Sequence, residues 1–336
     1  MAMKMHIGFL LACALFAAAP ACAAGASYGP ELEGFSYPYP QQHFAFTSQG
    51  QHVQMGYMDV PPADGHGNGR TAVLLHGKNF CGATWETTIR ALTQAGFRVV
   101  APDQIGFCSS SKPGYYQYTF QQLAENTRAL LQSLKVARVV VVAHSTGGML
   151  GARFALMYPD MVERLVMVNP IGLEDWKAKG VPYRTVDQWY ARELKLSAAS
   201  VHQYEQSVYY VGRWKPEFDK WVDMLAGLNQ GPGHARVAWN SALIYDMIFT
   251  QPVIYELPYL KVPTTLMIGD ADTTAIGSDI ASPEVRKTLG HYDKLGPEVI
   301  RSIPNGHLIV FHGYGHAPQI EAPDMFHKAL LAEIGH

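Results

Sequence analysis

The chain has 336 residues, of which 48% are hydrophobic and 16% charged, with a formal net charge of −2. That length and apolar content can bury a large core, which excludes a disordered chain and fits one large α/β domain carrying an inserted piece. The near-neutral balance and the lack of a basic run leave no electrostatic footprint for nucleic acid or an anionic membrane surface, so nucleic acid is not expected as a partner.

The first residues read as a targeting segment. Lys4 and His6 precede an apolar run from Ile7 to Ala19, followed by Pro20 and the small-residue site Ala21-Cys22-Ala23. Residues 1–23 are expected to be a cleaved signal peptide and the mature chain to be periplasmic or secreted. The run is too short to span a bilayer comfortably, and no later stretch reaches about 18 uninterrupted apolar residues, so no stable membrane span is expected. The residues before Cys13 and Cys22 fit a lipoprotein signal poorly.

After a Tyr/Pro-rich lead to Gln41, the segments His43 to Ser48 and His52 to Val60 alternate as two antiparallel strands around Gln49-Gly50-Gln51. A Gly-rich linker from Ala63 to Gly69 leads to Thr71–His76, an apolar run typical of a strand buried on both faces. Strands and helices then alternate: helix Trp85 to Ala95, strand Phe97 to Ala101, helix Phe120 to Leu134, strand Arg138 to Ala143, helix Gly148 to Met157, strand Arg164 to Val168. Such alternation implies a parallel sheet covered by helices. From Ile171 to about Thr250 it stops, and Trp, Tyr and Lys residues fall on helix-like segments, a helical insertion. A minority of its aromatics are expected to wall a pocket and the rest to pack in its own core. Strands resume at Thr264–Gly269 and Leu308–Phe311, and Pro318 to Ile334 reads as a terminal helix.

The strand ending at Ala143 runs into His144-Ser145-Thr146-Gly147-Gly148, a small-x-Ser-x-Gly turn with Ala143 in place of the usual first glycine. A strand reversing sharply into a helix strains the serine at its apex and exposes its hydroxyl, making Ser145 a candidate nucleophile. The alternative is a serine that only caps the helix. A serine nucleophile needs a general base, and the base needs an acid to fix its tautomer. Active residues of an alternating α/β sheet lie just past the C-terminal ends of strands. Asp272 and His316 meet that condition, giving the chain order Ser, Asp, His. The backbone amides of Thr146, at a helix N-terminus, and Lys78, in the loop His76-Gly77-Lys78-Asn79, are the candidate oxyanion donors. Asn79 is a candidate substrate contact. His144 lacks a triad partner and reads either as a packing residue or as a substrate contact; His307 and His312 read as packing or surface residues. Asp103, in a Pro-Asp-x-x-Gly turn, reads as a loop-stabilising acid. Cys81 and Cys108 remain once the leader is removed, and export permits a disulfide between them; small buried filler is the other reading.

The strand followed by His76-Gly77, then Pro102-Asp103-Gln104-Ile105-Gly106, the Ser145 elbow, Gly269-Asp270-Ala271-Asp272 and Gly315-His316 occur in α/β-hydrolase order. From His43 to its end the chain resembles that superfamily, and among its members those with a single helical cap. The resemblance implies a mostly parallel central sheet flanked by helices, with residues 24–170 and 251–336 forming the core and 171–250 a cap between the sixth and seventh strands. It implies Ser145 as nucleophile, Asp272 as acid and His316 as base; the family spacing Gly-x-x-Asp selects Asp272 over Asp270. Relatives that make alkyl-enzyme esters from haloalkanes or epoxides carry aspartate at the elbow, so Ser145 speaks against those activities.

The resulting expectation is an exported serine hydrolase cleaving a carboxylic ester of a small molecule, with no cofactor, no metal and no obligate protein partner evident. A lactonase, an amidase or peptidase and a C–C bond hydrolase use the same triad. A ligand-binding protein that keeps the fold without catalysis is the reading from a different class.

Overall fold

A computed structural model describes residues 25–335. The leader, with Cys13 and Cys22, falls outside them. Eight strands form one sheet: β1 (Gln41–Ser48), β2 (Gln51–Val60), β3 (Thr71–Leu75), β4 (Arg98–Pro102), β5 (Val139–His144), β6 (Val162–Val168), β7 (Thr264–Gly269) and β8 (Gly306–Phe311). Their order is β1-β2-β4-β3-β5-β6-β7-β8. Only β2 runs against its neighbours, and β4 through β8 are parallel. The helices are α1 (Glu86–Gln94), α2 (Phe120–Ser133), α3 (Thr146–Met157), α4 (Val186–Glu193), α5 (Ala198–Tyr204), α6 (Asp219–Gln230), α7 (His234–Thr250), α8 (Pro283–Arg286), α9 (Tyr292–Ile300), α10 (Pro318–Glu321) and α11 (Pro323–Ile334). No described helix is long and apolar enough to cross a membrane.

The central strands are apolar on both faces because both faces are covered. Val73, Val141 and Leu165 meet Leu130 of α2 and Phe154 of α3 on one side. Leu74, Val140 and Val166 meet Ile89 of α1 and Leu330 of α11 on the other. The parallel sheet is the one the alternation implies, and the whole is the α/β-hydrolase fold that the family resemblance implies. The terminal helix is two pieces rather than one: Ala322 leaves the helical region at φ −137° and ψ 62°, as a residue preceding a proline tends to. Helix α9 escapes a reading of the sequence because Gly296 and Pro297 interrupt its apolar positions Leu295 and Val299.

Helices α4 to α7 lie in the segment between β6 and β7 and cover the C-terminal ends of the strands, where Lys78 and Asn79 touch α4 and the segment after α5. The lead before β1 is more than a polar approach to the sheet. The Tyr28 amide donates to the Gly227 carbonyl of α6 at 3.0 Å, and a methyl group on Gly227 would come within 2.6 Å of the Tyr28 ring. Leu32 is buried, Phe35 packs edge-on against both Tyr28 and Tyr37, and the Tyr37 hydroxyl donates to Asp103 at 2.5 Å. The lead is a strap from the cap helices to the sheet.

Candidate active site

Ser145 stands between β5 and α3 at φ 56° and ψ −121°, left-handed backbone that a residue with a side chain adopts only under constraint. The constraint is visible on each side. Its amide donates to the Val168 carbonyl of β6 at 3.0 Å, and Gly147 lies so close to the Leu75 and His76 carbonyls that no Cβ fits. The departure at Ala143 is accommodated one helical turn on: a methyl on Gly151 would lie 3.0 Å from the Ala143 methyl, so glycine there makes the space that alanine takes.

The strained hydroxyl is hydrogen-bonded. His316 Nε2 lies 2.8 Å from Ser145 Oγ, and His316 Nδ1 lies 2.6 Å from Asp272 Oδ2. Asp272 and His316 side chains are fully buried. Asp272 Oδ2 also accepts from Asn169 Nδ2 at 2.9 Å, and Oδ1 accepts from the Thr274 amide and hydroxyl at 2.8 and 2.7 Å. Every partner of the carboxyl group is a donor, so the group is held in one orientation from both of its oxygens. Asn169 is itself clamped, donating to the Gly269 carbonyl and accepting from the Gly269 amide. It is a site residue that sequence reasoning missed; its one signal was a polar residue directly after the apolar run of β6. Asp270, two residues from Asp272, instead bonds His312 and the Gly313 amide at the surface.

His144, adjacent to the nucleophile, packs against the triad base. It is buried beside the triad, with its Nε2 2.8 Å from the His316 carbonyl and its ring 4.8 Å from that of His316. Burial, with His316 alongside, holds its pKa well below the usual imidazole value. The neutral ring donates to that carbonyl and fixes the His316 backbone.

After β3 the chain passes under the nucleophile. A Cβ on Gly77 would lie 2.9 Å from Ser145 Cβ. His76 pins this loop, with Nδ1 2.8 Å from the Gly77 carbonyl and Nε2 accepting from the Gln104 amide at 3.1 Å. The amides of Lys78 and Thr146 have no acceptor among the described residues, and so remain available to a charge developing beside Ser145. The two side chains of the loop reach into the cap. Asn79 Nδ2 donates to the Tyr209 hydroxyl at 2.9 Å, and the Tyr209 ring lies 4.8 Å from that of His316. Lys78 Nζ donates to the buried Glu193 at 2.9 Å and sits 3.9 Å from the centroid of Tyr245, which stacks on Trp189 at 4.3 Å. Burial alone would raise the Glu193 pKa, but Lys78, Ser241 and Arg192 hold it below the usual carboxylate value.

Cys81 and Cys108 are disulfide-bonded, their Cα atoms 6.0 Å apart, tying the loop after β3 to the loop after β4. Asp103 lies close to both sulfurs, but its oxygens are spent on the Gly82 and Ser109 amides and the Ser109 and Tyr37 hydroxyls. With the sulfurs bonded to each other, this trio is a structural clasp and offers no free thiolate as a metal ligand.

Among the buried cap groups without a partner is a carboxyl group. Glu205 opens a single π-helical turn, Glu205–Tyr209, and neither carboxylate oxygen has a partner among the described residues. Burial pushes its pKa up to about 8. Between the ordinary carboxylate range and pH 8 the folded chain keeps a proton that the unfolded chain loses, so this group costs stability as pH rises. The expected cost is up to tenfold in the folding constant per pH unit, levelling off above pH 8. Thermal melts of wild type and Glu205→Gln from pH 5 to 9 check it: the variant should gain on wild type as pH rises, and parallel curves would contradict the assignment.

Comparisons with known proteins agree with the fold. A crystal structure of a probable hydrolytic enzyme from Pseudomonas aeruginosa PAO1 is 58% identical, with a TM-score of 0.91 over 92% of this chain and 99% of that one. The AB hydrolase superfamily protein YfhM of Bacillus subtilis is 33% identical over 289 residues, 80% of this chain and 91% of that protein. A haloalkane dehalogenase of Mycolicibacterium paratuberculosis is 34% identical over 135 residues, 40% of this chain. The match spans 44% of that dehalogenase and 39% of one from Mycobacterium marinum, less than half the length of each. Residues 73–323 match the model of the alpha/beta hydrolase fold family, and on that match, together with the near full-length likeness to the Bacillus protein, the chain belongs to the alpha/beta hydrolase family.

Proposed function

We propose that this member of the family is a serine hydrolase that cleaves a carboxylic ester through an acyl-enzyme on Ser145. The observation that carries the reading is the hydrogen-bond chain from Ser145 Oγ through His316 to Asp272. In the first step His316 Nε2 takes the serine proton as Oγ attacks the ester carbonyl. The amides of Lys78 and Thr146 stabilise the tetrahedral oxyanion, and the imidazolium returns the proton to the departing alcohol. Water then attacks the acyl-enzyme with His316 again as base, releasing the acid and free Ser145. Asp272 keeps the Nδ1 proton in place throughout, leaving Nε2 as the acceptor.

The serine also separates this chemistry from dehalogenation. Displacement of halide by a carboxylate gives an alkyl ester whose own carbonyl water can attack. Displacement by a serine oxygen would give an alkyl ether with no such carbonyl, and the enzyme would stay alkylated. An acyl substrate is therefore the one that Ser145 can turn over. We further propose that the chain is exported, removing residues 1–23; the Cys81–Cys108 disulfide supports this, since such bonds persist in oxidising compartments.

A fluorophosphonate probe and a p-nitrophenyl ester panel applied to fractionated producing cells test both statements. Expected are label on Ser145, ester turnover with a burst, and a labelled protein in the periplasm or medium with the mass of residues 24–336. Neither label nor turnover would overturn the hydrolase reading. Label confined to the cytoplasm at full-length mass would overturn export.

A further inference from the structure

A cavity of about 250 Å³ opens at the seam between cap and core. It is bordered by Asn79 of the oxyanion loop, by Arg192 and Lys195 around the C-terminal end of α4, and by Leu196, Val201 and Leu225. Asn79 is two residues beyond Gly77, which abuts Ser145, so the cavity borders the loop that passes under the nucleophile. No carboxylate is among its lining residues.

The charge on this wall is unbalanced. Glu193 stands behind it and is shared by Lys78 at 2.9 Å and Arg192 at 3.2 Å, so one anion faces two cations. Lys195 has no carboxylate partner among the described residues. Asp279, a second acid near Arg192, pairs with Arg184 at 2.8 Å. Arg192 spends one guanidinium N–H on Glu193, and its plane lies 5.4 Å from the centroid of Tyr245. A preoriented guanidinium beside an unpaired ammonium, across from Leu196, Val201 and Leu225, fits a ligand with an anionic end and an apolar stem.

We propose that this cavity selects esters whose acyl chain ends in a carboxylate, with Arg192 and Lys195 holding that carboxylate while the ester carbonyl meets Ser145. The proposal rests on the serine hydrolase reading. It makes Arg192 and Lys195 specificity-determining residues, with Leu196, Val201 and Leu225 packing the methylene stem.

The test compares p-nitrophenyl hydrogen adipate with p-nitrophenyl hexanoate, six-carbon chains that differ in the terminal carboxylate. Wild type should favour the adipate ester in kcat/KM by at least about tenfold, the range of a charge-assisted contact. Rising salt should erode that preference through KM. Lys195→Gln and the double variant Arg192→Gln/Lys195→Gln should bring the ratio of the two kcat/KM values down toward one, and Lys195→Glu should invert it. Lys195 makes no side-chain bond to a described acid, so its variants keep the test readable if the double variant folds poorly. A wild-type ratio near one, or variants that lower both esters while keeping the ratio, would overturn the proposal and leave the hydrolase reading standing. Absence of both ester turnover and fluorophosphonate label would overturn both.

Discussion

Ser145→Ala should lower kcat/KM for p-nitrophenyl hexanoate by about 10⁴- to 10⁶-fold and abolish fluorophosphonate labelling. What remains after loss of the nucleophile is substrate binding and the two oxyanion amides, which alone retain only a small part of such catalysis. The fold should survive. Alanine keeps the Cβ that already occupies the left-handed position at φ 56°, and the bond lost to His316 Nε2 is one hydrogen bond of about 1 kcal/mol net. The thermal midpoint should therefore move by no more than a few degrees. Stopped assays and a melt on the same preparation check it; a folded variant retaining a tenth of wild-type turnover would remove Ser145 from the reaction.

Asp272→Asn should cost about 10⁴-fold in kcat, and here the reason can be traced atom by atom. All four groups around the carboxylate donate: His316 Nδ1–H, Asn169 Nδ2, and the amide and hydroxyl of Thr274. An amide in this place must turn its NH₂ toward one pair of them. Facing Thr274, it meets a backbone N–H that cannot reverse. Facing His316, it meets the Asn169 amide, which cannot flip because Gly269 clamps both its ends. It also draws the imidazole proton onto Nε2, where the ring can no longer accept from Ser145. The variant should thus lose turnover and some stability together, the unpaired donor costing about 1–3 kcal/mol. Kinetics and a thermal melt check both, and activity within tenfold of wild type would contradict the assigned role.

The legibility of this site in the sequence follows the range of the interactions involved. The elbow is local: five residues around Ser145 carry the steric demands of the turn, and the close approach of Gly147 to β3 is the physical content of that motif. The strands before Asp272 and His316 are apolar runs, but two acids follow the first and two histidines the second, so the choice of Asp272 over Asp270 rested on the spacing that the family resemblance supplies. Asn169 and Glu193 escaped because their meaning lies in partners 103 and 115 residues away, Asp272 and Lys78, which no periodicity announces. The contact of His144 with the His316 carbonyl was likewise out of reach, since its partner lies 172 residues away in the chain. The cap's helices were legible as helices, but which of their aromatics lie over the triad depends on docking. Tyr209 covers His316, while Tyr210 stacks on Phe218 in the cap's own core.

The strap formed by the lead residues alters how the cap can move. Two covalent connections, after β6 and before β7, would by themselves make it a flap with a hinge. The Tyr28 amide on the Gly227 carbonyl, with the Tyr28 ring seated where Gly227 has no side chain, adds a noncovalent fastening on α6 to those that Lys78, Asn79 and Lys220 make between cap and core. Any swing of α6 away from the sheet must first peel that fastening loose. Opening a path to Ser145 by moving α6 then means breaking this strap as well as bending the hinge, and a bulky group placed just before Tyr28 is expected to act on the rate of substrate admission without touching a catalytic atom.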